Sequence, residues 1–130
     1  GGLNRAEWTL SENNIDLMIL CLGANDMLRG ISPKETKKNL EKIINIAQNK
    51  NIKVILAGMI APTSHGFKYK KNFDKIYPDL SKQYNLPLIP FLLEDVALKP
   101  ELNLSDGMHP NSKGTVVISK TLQEMILKNL

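Results

Sequence analysis

Cysteine is almost absent: Cys21 is the single one. No intrachain disulfide can form, and no cysteine cluster can hold a metal. Set in an apolar run, Cys21 reads as a small core residue. Arginine is nearly as scarce, present only as Arg5 and Arg29. Base readout and forked phosphate contacts favour arginine. The net charge of +4 therefore rests on lysines. Lys34, Lys37, Lys38, Lys42, Lys68, Lys70, Lys71, Lys75 and Lys82 fall on polar faces of expected helices, which reads as solvated surface; no nucleic-acid partner is expected. No apolar stretch reaches the length of a membrane span, so no stable membrane insertion is expected. Asp16, Asp74, Asp79, Asp95 and the glutamates form no close pair suited to glycosidase or metal chemistry. No metal or organic cofactor is implied.

What is present suits a globular chain. It has 130 residues, 42% of them hydrophobic and 23% charged. That length can bury a real core, and residues 1–130 are expected to form one domain. No signal peptide is visible, and the chain opens on Gly1-Gly2, which leaves its compartment undetermined.

The hydrophobic pattern alternates between two periods. Residues 3–13 read as an amphipathic helix, with Leu3, Ala6 and Leu10 on one face and Trp8 packed or half-packed against neighbours. Ile15 to Leu22 is nearly all apolar and reads as a buried parallel strand. Gly23 to Ile31 follows as a loop. Ser32, Pro33 and Glu35 are the cap, first-turn proline and capping-box acid of a helix. Its apolar stripe is Leu40, Ile43, Ile44 and Ala47, and it ends near Asn49 to Asn51. Lys53 to Ala57 is a second buried strand. A loop at 58–66 contains Pro62 and His65. A third helix is expected over 68–84, with Tyr69, Phe73, Ile76, Tyr77, Leu80 and Tyr84 in phase and a kink or division at Pro78. Leu86 to Pro90 is a short third strand. An irregular stretch leads to Ser105. Asn111 or Ser112 caps a last helix, with Val117, Ile118, Thr121, Leu122, Met125 and Ile126 inward. This order implies an α/β three-layer sandwich with a parallel sheet. In such sheets ligands bind beyond the carboxyl ends of the strands. The loops at that edge are 23–31, 58–68 and 91–111.

Two short motifs fall in those loops. Asp106 and His109 flank a tight turn at Gly107, which can set a carboxylate against one imidazole nitrogen and leave the other facing outward. That is an orienter and a base. Read alone, the four residues fit an ordinary Asp-Gly turn before a surface histidine better. Asn25 follows the first strand, where its amide can donate to a developing oxyanion; Gly23 allows the chain to turn tightly there. Read alone, this too fits a plain turn.

Together, Gly23-Ala24-Asn25-Asp26 and Asp106-Gly107-Met108-His109-Pro110-Asn111 resemble the third and fifth conserved blocks of the SGNH (GDSL) hydrolase family. Leu22–Gly30, Ala57–Pro62, Ile76–Leu80 and Pro90–Leu93 resemble its bacterial arylesterase and lysophospholipase/thioesterase I-like branch. The likeness runs in order over nearly the whole chain. It implies a flavodoxin-like sheet and a carboxylic-ester hydrolase that works through an acyl-serine. His109 would be the base and then the acid, Asp106 its orienter, Asn25 an oxyanion donor and Gly23 the residue that shapes that loop. A small-molecule ester would be the substrate, with thioesters and lysophospholipids as relatives, and export to the periplasm is suspected on the same ground.

The same resemblance exposes a gap. The family's nucleophile sits in a Gly-Asp-Ser block near the N-terminus, and neither that block nor the next is found here. Ser11, Ser32, Ser81, Ser105, Ser112 and Ser119 are placed on helices, at a cap or beside Asp106. Ser64 alone lies on the active edge, without a Gly-Asp context, so no nucleophile is assigned in this chain. The chain is expected to be an N-terminally truncated member that retains three strands, and to be inactive alone. Its strand 15–22 would then expose an edge meant for pairing.

Leu28, Met59 and Pro62 are expected in an acyl or aryl binding wall, local packing being the plainer reading. His65 reads as an exposed loop histidine or a lining of that wall, and Asp26 as a loop hydrogen-bonding group. A non-catalytic receiver-like module is the competing class. It would want an acidic cluster at the strand ends, which Asp26 fits only partly, and it leaves Asp106 and His109 without a role.

Overall fold

The computed structural model describes residues 1–130. The chain divides into two compact units, Gly1–Pro90 and Phe91–Leu130.

The first unit is built on a parallel sheet. Strands β1 (Leu17–Leu20), β2 (Lys53–Ala57) and β3 (Leu88–Ile89) lie in the order β1-β2-β3. Leu17 faces Lys53 and Leu20 faces Leu56, while Leu56 faces Leu88. Helices α1 (Gly2–Thr9), α2 (Ala24–Leu28), α3 (Pro33–Asn49), α4 (Phe67–Asp74) and α5 (Ile76–Tyr84) alternate with the strands. This is the α/β sandwich architecture expected from the pattern. Ile43, Ile44 and Ala47 of α3 pack with Val54 and Leu56 of β2 and with Phe73, Ile76, Tyr77 and Leu80 of α4 and α5. Ile44, Leu56, Phe73 and Leu80 are completely buried, each worth roughly 1.5–3 kcal/mol in transfer from water. Ile55 and Ala57 are buried as well, which is why β2 is apolar on both faces.

Several elements depart from expectation for visible reasons. β1 is shorter than 15–22 because its ladder ends at the Leu20–Leu56 pair; beyond Ala57, the Gly58 N–H donates to Ile89 instead. Cys21 therefore stands past the last paired residue and is exposed, not a core residue. Trp8 is 76% exposed and does not pack. It lies two residues, about 200° of helical rotation, from Ala6, whose face is the buried one. The helix expected over 68–84 does divide into two, with the break at Lys75. Pro78 has no N–H to donate to the Asp74 carbonyl four residues back, where α4 ends, and as the third residue of α5 it loses no bond within that helix. Residues 24–28, expected as loop, form the five-residue helix α2. Ser32 caps α3 by accepting the Glu35 N–H.

The second unit holds a turn-rich stretch, a 3-10 turn at Pro100–Leu102 and the long helix α6 (Ser112–Asn129). Val96 is its buried apolar residue, 1% exposed. Asn111 caps α6 by accepting the Gly114 N–H. Val117, Ile118, Thr121, Leu122, Met125 and Ile126 share the less exposed face of α6, each only half-buried. No helix of the chain is long and apolar enough to cross a membrane.

Candidate active site

The loop carrying His109 is closed at its base by a bridge between Asn103 and Pro110. The Leu104 N–H donates to the His109 carbonyl at 2.8 Å, and the Asn111 N–H to Leu102 at 2.9 Å. Gly107 takes a φ of 68°, in the left-handed region that glycine enters freely. That turn folds Asp106 back over the following peptides. Its Oδ1 accepts from the Met108 and His109 N–H groups at 2.9 and 3.0 Å. Its Oδ2 lies 2.6 Å from His109 Nδ1.

The His109 side chain, followed by the Met108 and His109 N–H groups, holds the Asp106 carboxyl down at about 2. An ionised carboxylate only accepts, so Nδ1 carries a proton, and in the neutral ring Nε2 then keeps the lone pair. His109 and Asp106 are both exposed. The pair is thus an oriented imidazole whose second nitrogen is open to a reactant.

Asn111 makes this mount stiff. Its Nδ2 donates to the carbonyls of Glu101 and Asn103 at 2.8 and 3.2 Å, while its Oδ1 caps α6. Asn103 in turn donates to the carbonyls of Val96 and Lys99, both at 2.8 Å.

In the first unit, Gly23 begins α2 with a φ of 123°. Asn25, the second residue of α2, is exposed. Asp26 Oδ2 accepts the hydroxyl of the buried Thr36 at 2.9 Å, the loop hydrogen bond expected of it. A cavity of about 380 Å³ opens here, bordered by Gly23, Asn25, Asp26, Arg29, Thr36 and Met59 among others. Of the three expected wall residues, only Met59 borders it. Leu28 and Pro62 are exposed and lie outside its lining. His65 is exposed, with its ring 5.1 Å from that of Tyr69.

Five long-range or clamp hydrogen bonds in this unit were not visible in the sequence. The Ala61 N–H donates to Asp74 Oδ1 at 2.7 Å, and Lys70 Nζ donates to the Ala61 carbonyl at 2.8 Å and to Asp74 Oδ2 at 2.7 Å. Tyr77 donates its hydroxyl to the Leu22 carbonyl and Tyr69 to that of Ile31. Both tyrosines had only a helical apolar period to mark them, and that period says nothing about where a hydroxyl points.

The model of the GDSL-like Lipase/Acylhydrolase family matches residues 2–116, and the chain belongs to that family. An arylesterase of Vibrio mimicus is 35% identical over 129 residues, covering 99% of this chain and 64% of its own. Thioesterase 1/protease 1/lysophospholipase L1 of Escherichia coli K12 is 34% identical, covering 96% and 62%. The crystal structure of TesA superposes with a TM-score of 0.91 at 30% identity, covering all of this chain and 72% of that one. The chain spans slightly less than two thirds of the curated relatives it matches. Family membership sets aside the receiver-like reading.

Proposed function

We propose that this chain contributes the acid–base dyad and one oxyanion donor to a serine-type carboxylic-ester hydrolase acting on short acyl or aryl esters. The observation that carries the reading is the 2.6 Å contact between Asp106 and an exposed His109, in a member of a lipase/acylhydrolase family. In this reading His109 Nε2 takes the proton of a serine hydroxyl as its oxygen attacks the ester carbonyl. Asp106 holds the imidazole in the needed tautomer and stabilises the imidazolium that forms. Asn25 Nδ2 donates to the carbonyl oxygen as it gains charge. His109 then returns the proton to the departing alcohol. Water, activated by the same nitrogen, frees the acid from the acyl-serine.

The attacking serine is not one of the serines in these 130 residues. Ser81 donates its hydroxyl to the Leu86 carbonyl and Ser11 to that of Trp8, while Ser32 accepts at its cap. Ser64 sits exposed on a 3-10 turn without a basic partner. An acyl thioester or lysophospholipid is the second reading of the substrate, favoured by the name of the Escherichia coli relative.

The test compares hydrolysis of para-nitrophenyl acetate by the 130-residue chain and by the full-length product of its gene. The full-length product should turn over and lose activity on His109→Ala, and the 130-residue chain should be silent. Turnover by the 130-residue chain that disappears with Ser64→Ala would overturn the assignment of the nucleophile.

A further inference from the structure

Asn25 sits on a helix that cannot hold itself in place. α2 has five residues and buries none of them, and an isolated helix of that length is not stable in water. An oxyanion donor must nevertheless be fixed before the reaction begins, since stabilisation comes from donors that need not reorganise. Something outside α2 therefore sets its position.

Two tyrosine hydroxyls hold the ends of the segment that contains it. Tyr77 donates to the Leu22 carbonyl at 2.8 Å, directly before Gly23. Tyr69 donates to the Ile31 carbonyl at 2.7 Å, directly before the cap of α3. Between these ties the segment closes on itself. The Met27, Arg29 and Ile31 N–H groups donate to the carbonyls of Gly23, Asn25 and Asp26 at 2.9, 3.0 and 2.9 Å.

The tyrosines are themselves anchored. Tyr69, Phe73 and Tyr77 recur every four residues along α4 and α5, with Tyr69 stacked on Phe73 and Phe73 meeting Tyr77 edge to face. Ring centroids are 6.0 Å apart for Tyr69–Phe73 and 5.8 Å for Phe73–Tyr77. Phe73 and Tyr77 are 0% and 1% exposed, so the inner end of this ladder is fixed in the core. Burial holds both phenols above their ordinary range, which keeps each hydroxyl a donor. Gly23 belongs to the same device: a Cβ there would collide with the Tyr77 hydroxyl.

We propose that Tyr77 and Tyr69 are positioning residues that fix the 22–31 segment and thereby aim the Asn25 amide, with Gly23 leaving the space that the Tyr77 hydroxyl occupies. This rests on the reading of Asn25 as an oxyanion donor.

Tyr77→Phe and Tyr69→Phe remove one hydroxyl each and keep the rings. Amide hydrogen exchange on the full-length product should quicken roughly tenfold at Met27, Arg29 and Ile31 in Tyr77→Phe, with Ile55 and Leu56 of β2 unchanged. Turnover of para-nitrophenyl acetate should fall roughly tenfold in kcat for Tyr77→Phe and about threefold for Tyr69→Phe, with KM held. In an Asn25→Ala background, Tyr77→Phe should lower kcat no further, because both act on one interaction. Equal quickening in β2 would reduce the tyrosines to general core stability and overturn the proposal. So would unchanged kcat in Tyr77→Phe where Asn25→Ala lowers it. If Asn25→Ala leaves kcat intact, the reading of Asn25 fails, and the exchange pattern still decides whether the tyrosines hold the segment.

Discussion

His109 Nδ1 lies 2.6 Å from Asp106 Oδ2, while Asp106 Oδ1 accepts from two backbone N–H groups of the same turn. One carboxylate therefore does two jobs: it folds the loop and sets the imidazole tautomer. Asp106→Asn separates them. An asparagine keeps an oxygen for the turn, but its amide cannot hold the Nδ1 proton as a carboxylate does. In the full-length product, kcat on a short aryl ester should drop roughly 10³- to 10⁴-fold, with the amide spectrum of the loop little changed. Retention of a tenth or more of the activity would remove Asp106 from the dyad.

The same contacts set a titration. A carboxyl-carbon NMR titration should find the Asp106 midpoint near 2 against an ordinary 3.8. The folded value is the lower one. The contribution of this group to stability is thus present above pH 3.8 and lost as pH falls from there toward 2. In His109→Ala the midpoint should rise but stay below 3.8, because both backbone N–H donors remain. A wild-type midpoint at the ordinary value would show that the Asp106–His109 bond does not persist in solution.

Asn111 joins three places at once: Gly114 at the start of α6 and the carbonyls of Glu101 and Asn103. Asn111→Ala removes all three bonds and should lower the local stability of this unit by about 1–2 kcal/mol. Asn111→Ser keeps a cap acceptor and loses both donors, so it should fall between wild type and alanine. Amide exchange at Gly114 and Thr115 reads the difference; equal exchange in all three proteins would show that the cap contributes nothing.

The loop after β2 depends on Asp74 more than on Lys70. Ala61 is 2% exposed, and its N–H has Asp74 Oδ1 as acceptor. Asp74→Ala leaves that donor buried and unmatched, at a cost of about 1–3 kcal/mol. Lys70 is a third exposed, and Lys70→Met should cost less, under about 1 kcal/mol. Urea unfolding of the two variants measures this, and the reverse order would refute the clamp as drawn.

Much of this molecule follows from local chemistry that the sequence displays. The run Lys53–Ala57 is β2 to the residue, because a strand buried on both faces, as this one is from Val54 onward, must be apolar at each buried position. Ser32 and Asn111 are the caps of α3 and α6, since a side chain three residues from its partner needs no help from the rest of the chain. Asp106 and His109 belong to this kind. They are three residues apart around a glycine, and their bond was legible before any fold was known.

What lies far apart along the chain was not legible. Tyr77 reaches Leu22 across 55 residues and Tyr69 reaches Ile31 across 38. Their period placed the rings in the core and gave no acceptor for the hydroxyls. Cys21 and Trp8 were misjudged for the same reason. Whether an apolar side chain is covered depends on where a ladder stops and which helix face meets another element. The sequence by itself displayed the turn, the Asp106–His109 contact and the cap of α3, and narrowed the cap of α6 to Asn111 or Ser112, because each is closed by neighbours. Only the tertiary structure decided what holds Asn25, because a hydroxyl and a carbonyl distant in sequence meet only when packing brings them together.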